Sequence, residues 1–126
     1  MSDRKNRLRK LVEVQEQLKG LHEMRRAGFL AEAAAAEREA AALAERFDAE
    51  GSLAGLFPEL YHNRIAGALR RRDESLDGAR AEAALVATAT ARTNMVERAY
   101  KAEARDDERR RGDRERLEII EQKRGR

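Results

Sequence analysis

The sequence predicts an all-α protein: two long helices forming an antiparallel coiled-coil hairpin, with the second helix longer than the first. Three observations predict it. Charged residues make up 40 % of the 126 residues and aromatics only 4 %, the Ala/Glu/Lys/Arg/Leu-rich composition of extended helices rather than of a globule with a deep core. Leucine, valine and alanine recur at spacings of three and four, which gives each helix one apolar stripe. One cluster of helix breakers, Gly51-Ser52-Leu53-Ala54-Gly55-Leu56-Phe57-Pro58, divides the chain near its middle.

The first helix is expected over residues 3–50, with Ser2 or Asp3 as its cap, because a short side-chain oxygen can accept from the free N–H groups of the first turn. Its stripe reads in two registers. Leu11, Val14, Leu18 and Leu21 form one; Phe29, Ala33, Ala36, Ala40, Leu43 and Phe47 form the other. Joining them takes two successive steps of four through Arg25, a stutter that locally unwinds a coiled coil. Gly20 and Gly28 bracket that stretch, and each costs about 1 kcal/mol relative to alanine inside a helix. Weakness or a bend is therefore expected near residues 20–28. The alanine-rich segment from Ala31 to Ala44 allows a second helix to approach closely.

The connection spans 51–58. Gly51 stands where a helix-terminating glycine belongs, and Pro58 suits the first turn of the next helix, where its missing N–H is not needed. The second helix is expected over 59–123, so the chain forms a single coiled-coil domain, 1–126. Its stripe runs through Ile65, Leu69, Leu76, Ala79, Ala83, Val86, Thr90 and Thr93, then Val96 and Tyr100 after a small shift. Arg72 takes one seam position, and the two threonines make a soft spot. The longer second helix overhangs the first in the polar run Arg105 to Arg116, where Asp106 with Arg110 and Asp107 with Arg111 have the spacing of helix-surface ion pairs. Beyond the overhang, Leu117, Ile119 and Ile120 are apolar and have no partner within the hairpin.

The balance of charge and motifs removes several functions. Net charge is only +3 against 27 basic and 24 acidic residues, whereas nucleic-acid binders concentrate positive charge. Only the start is lopsided, with Arg4, Lys5, Arg7, Arg9 and Lys10 facing Asp3; it reads either as a solvated helix start or as a dock for an acidic protein or lipid surface. With no cysteine there is no disulfide or thiol chemistry, which fits a cytoplasmic protein. No signal peptide is expected, and the least charged stretch, Ala83 to Ala91, is far short of the roughly 20 apolar residues a membrane helix needs. His22 and His62 each stand alone, and neither a phosphate loop nor a His-Glu-x-x-His motif occurs. No enzyme, cofactor or metal site is expected.

Two readings stand for Phe57, Tyr61, His62 and Arg64 at the turn: these large side chains close the hairpin, or they form a recognition patch, since aromatics and arginine dominate binding hot spots. The basic start Arg7-Leu8-Arg9-Lys10-Leu11-Val12 leads into an Ala/Glu-rich first helix, a break at Phe57-Pro58-Glu59-Leu60-Tyr61, and the block Arg70-Arg71-Arg72-Asp73-Glu74-Ser75-Leu76. The tail holds Val96-Glu97-Arg98 and Asp106-Asp107-Glu108-Arg109-Arg110-Arg111. In this order, over nearly the whole chain, the sequence resembles the FliJ family of flagellar export proteins, the central stalks of type III secretion ATPases that include the YscO-like proteins.

The resemblance implies a soluble stalk or adaptor of a type III protein export apparatus, cytoplasmic and peripheral to the inner face of the cell membrane. Its paired ends would enter the hexameric export ATPase, its hairpin tip would reach the export gate, a membrane protein, and export chaperones would be further partners. By region, Leu8, Leu11, Leu117, Ile119 and Ile120 would lie at the ATPase end, and Phe57, Tyr61 and Arg64 at the tip facing the gate. The alternative is a structural coiled-coil scaffold, a homodimer or helical bundle with no ATPase partner. A weaker third reading is nonspecific nucleic-acid binding through the basic start.

Overall fold

In a computed structural model, which describes residues 2–51 and 55–125, the chain is all α. Helix α1 covers Ser2–Asp48 and helix α2 covers Pro58–Arg124; α2, with 67 residues, is longer than α1, with 47. The expected limits, 3–50 and 59–123, come within two residues of these. One detail is corrected: Asp3 lies inside α1 and does not cap it from outside but places its charge in the first turn, where the helix dipole favours an acid; the Ser2 side chain lies outside the described ones. Ser52, Leu53 and Ala54 of the expected connection lie outside the described residues.

The connection follows from its glycine and its proline. Gly51 has φ 75°, a left-handed conformation that a side chain disfavours and that ends α1. Pro58 takes the first helical position, and its ring drives the preceding residue out of the helical region. Phe57 therefore sits just ahead of α2, its carbonyl accepting the Tyr61 N–H at 3.4 Å. Phe57 caps by backbone alone.

Contacts divide the chain into two units, residues 20–87 and residues 1–19 with 88–126. The first is a helical hairpin. Its helices run antiparallel, since Arg71 bonds Glu39 at 2.9 Å and His22 meets Glu82 at 2.7 Å, the partner number rising as the α1 number falls. Ala33, Ala36, Ala40 and Leu43 from α1 and Ala68 and Ala79 from α2 form the buried seam, with Ala68 at 0 % exposure. A buried methyl contributes on the order of 0.8 kcal/mol where a buried leucine contributes about 1.5–3 kcal/mol, so this seam is thin and its stability comes from length. The aromatic ring of Phe29 fits only because α2 presents a glycine: a Cβ on Gly78 would come within 2.8 Å of that ring.

The other unit pairs the start of α1 with the second half of α2, again antiparallel. Arg4 lies 3.8 Å from Glu103, and Lys5 Nζ lies 5.9 Å above the Tyr100 ring. Ala89 and Thr93 are its buried residues. The expected soft spot at the threonines is relieved at Thr93, whose hydroxyl donates to the Ala89 carbonyl at 2.9 Å, so the polar atom is buried but bonded.

The register of α1 departs from expectation. Leu11, Val14, Leu18 and Leu21 face solvent, at 39–48 % exposure, while Lys5, Leu8, Val12, Gln15, Lys19 and His22 are half-buried, as is Gly20 beside Lys19. Those six continue, in alternating steps of three and four, the spacing of Phe29, Ala33, Ala36, Ala40, Leu43 and Phe47, with exposed Arg26 in the one remaining position. No stutter is needed, and α1 is unbroken through Gly20 and Gly28. The seam accepts polar residues because Lys and Gln can lay aliphatic stems along it and His22 has a carboxylate partner. The expected α2 stripe from Ile65 to Thr93 is half-buried or buried throughout, with Ala68 and Ala89, which the spacing did not mark, buried beside it. The same steps of four and three then continue through half-buried Glu97 to Tyr100, and Val96, also half-buried, lies one place off that line.

Candidate functional site

At the turn, the aromatic side chains cluster around Phe47 near the end of α1. The Tyr61 ring packs at 6.1 Å and the His62 ring at 5.1 Å from it, both tilted, the arrangement that complementary edges and faces of aromatic rings prefer. Tyr61 is thus half-buried in closing the hairpin. Phe57 and Arg64 are exposed; Arg64 borders a shallow cleft with Glu39, Arg46 and Arg71. Of the four turn residues singled out in the sequence, Phe57 and Arg64 offer free surface, while Tyr61 and His62 pack on Phe47. Phe47, which organises the turn, is marked by its spacing in the sequence only as a seam residue.

In the unit formed by residues 1–19 and 88–126, the sequence-derived residues do not form one patch. Leu8 is half-buried in the seam and Leu11 is on the outer face of α1. Leu117, Ile119 and Ile120 are 47–59 % exposed on α2. Only Ser2 and Asp3 precede Arg4 in the described part of α1, so α2 runs on past α1, and from Glu108 every described residue but Gly112 is exposed. The overhang is held by ion pairs one turn apart. They join Asp106 to Arg109 at 3.4 Å, Asp107 to Arg110 at 2.7 Å and Asp113 to Arg116 at 3.7 Å, three residues apart rather than the four expected. Hydrogen bonds from Arg110 to Asp107, and then to Glu103, hold its guanidinium above the ordinary arginine value.

This unit also carries a feature that reading along the sequence missed. Lys5 and Arg9 of α1 and Arg110, Arg111 and Arg114 of α2 line an open cleft of about 500 Å³, with Asp107 its one acid. The cations come from opposite ends of the chain, so only the antiparallel pairing brings them together.

His22 likewise gains a partner that linear spacing could not show. Its Nδ1 lies 2.7 Å from Glu82 Oε2, both side chains mostly buried. Across the described residues no group of three or more His, Cys, Asp or Glu could hold a metal ion, and no described helix is long and apolar enough to cross a membrane. Comparison with protein-family models, with curated proteins and with solved structures gives no match.

Proposed function

We propose that the chain is a coiled-coil binding protein, a stalk or adaptor of a bacterial type III protein export apparatus, whose end formed by the start of α1 and the overhang of α2 engages the hexameric export ATPase. The observation that supports this most is the overhang itself: α2 continues beyond α1 and carries exposed Leu117, Ile119 and Ile120. Apolar side chains at the end of an otherwise charged helix gain by burial against another protein. The family resemblance supplies the identity of that protein. On the same reading the exposed Phe57 and Arg64 at the turn face the export gate, and the chain sits at the inner face of the membrane by binding protein rather than lipid. Export chaperones are further partners. The reading is tested by co-migration with the hexameric ATPase on gel filtration; a complex lost on Leu117→Ser with Ile120→Ser supports it, and separate elution at micromolar concentrations contradicts it.

One observation favours a second reading, a homo-oligomeric scaffold. The exposed Leu11, Val14, Leu18 and Leu21 repeat at coiled-coil spacing on the outer face of α1. Light scattering separates the two, since the scaffold requires a dimer or larger and the stalk a monomer.

A further inference from the structure

The basic cleft of residues 1–19 with 88–126 has an unusual charge balance for so evenly charged a chain. Five cationic side chains line it against Asp107. Arg110 is committed, bonding Asp107 at 2.7 Å and Glu103 at 3.2 Å. Among the described residues no carboxylate lies within ion-pair distance of Lys5, Arg9, Arg111 or Arg114. Arg9 instead bonds Asn6, and Arg114 donates to the Arg110 carbonyl. Four cations thus converge with no ion-pair partner among the described residues.

The face of α2 on which they stand is not purely basic. Arg110, Arg114 and Leu117 follow at positions i, i+4 and i+7, so one side of the helix presents arginine and then exposed leucine, just where α1 no longer covers it. Asp106, Glu108, Asp113, Glu115 and Glu118 are interspersed along the same helix, so a broad anionic surface such as a bilayer or a duplex would meet them together with the arginines. A single helix seated in the cleft instead meets its cations against Asp107. Arginine's planar fork suits carboxylates in pairs, and an apolar neighbour suits a helix with its own apolar positions.

We propose that this cleft docks an acidic amphipathic helix of a partner protein, which lies along the exposed face of α2 beyond Asp107. Its carboxylates meet Arg9, Arg111 and Arg114, and its apolar residues cover Leu117. The inference shares a helix end with the proposed ATPase contact and rests on that reading only for which protein carries the helix. The assay contains no ATPase, so the two fail separately.

The test is fluorescence anisotropy of the full chain with a labelled peptide of Leu-Glu-Glu-Leu-Ala-Glu-Glu heptads. The controls are the same peptide with Gln for Glu, inorganic phosphate, phosphatidylserine vesicles and a short DNA duplex. The Glu peptide is expected to bind and the Gln peptide to bind about tenfold more weakly, with affinity falling as salt rises. Arg111→Glu with Arg114→Glu is expected to abolish binding, and a Lys-for-Glu peptide to restore it to that variant; circular dichroism checks that the exposed substitutions leave the helices intact. Equal binding of Glu and Gln peptides, no loss in the double variant, or tighter binding to vesicles, DNA or phosphate than to the Glu peptide would each overturn the proposal.

Discussion

Glu82 Oε2 lies 2.7 Å from Nδ1 of His22, joining α1 to α2 at a seam position that an apolar residue would ordinarily hold. Both side chains are largely out of solvent, so a one-heptad slip of either helix would leave each without its partner. A polar pair of this kind pins register more than it adds stability. A double-mutant cycle of His22→Ala and Glu82→Ala, followed by urea unfolding, should give a coupling of about 1 kcal/mol. His22→Leu with Glu82→Leu together should unfold no earlier than the native chain.

The glycines divide by what surrounds them. Gly28 has nothing within 4 Å of where a Cβ would stand, whereas a Cβ on Gly78 would meet the Phe29 ring at 2.8 Å. Gly28→Ala should raise stability by about 0.5–1 kcal/mol through helix propensity alone. Gly78→Ala receives the same propensity gain but overpacks the seam, at about 1–3 kcal/mol, and should be neutral to destabilising. The melting temperature should rise for Gly28→Ala and stay level or fall for Gly78→Ala.

The α1 register is tested where expectation and structure disagree. Leu11 is half exposed, while Gln15 lies in the seam with its Oε1 buried and unbonded among the described residues. Leu11→Ser should cost well under the about 2–5 kcal/mol typical of a buried leucine truncation. Gln15→Leu should stabilise by about 1–3 kcal/mol, the penalty of a buried acceptor left unpaired. Chemical denaturation of both variants decides between the registers.

Phe47 holds the turn through Tyr61 and His62. Phe47→Ala should destabilise the chain by about 3 kcal/mol, and hydrogen exchange should accelerate most in the residues flanking the connection. Phe57→Ala, which removes an exposed ring, should leave exchange there nearly unchanged.

What could be read in advance followed the apolar residues. The fold class, the break and the α2 stripe were all legible because leucine, alanine and a Gly/Pro cluster mark them directly. In the first half of α1 the same rule failed. The seam there holds Lys5, Gln15, Lys19 and His22, and the more apolar Leu11, Val14, Leu18 and Leu21 lie outside it. Stepping backward from Phe47 by fours and threes would have found the true register, since that spacing continues without interruption to Lys5. The His22–Glu82 pair and the arginine cleft were not legible at all, because each joins residues that meet only once the helices pair.

The central claim, a stalk that completes an export ATPase, is tested most directly by the hydrolysis rate of the hexameric ATPase titrated with this chain. A saturable change in rate, reduced by Leu117→Ser with Ile120→Ser and unaffected by Phe57→Ala at the turn, is the predicted result. A rate unchanged at saturating chain would contradict it.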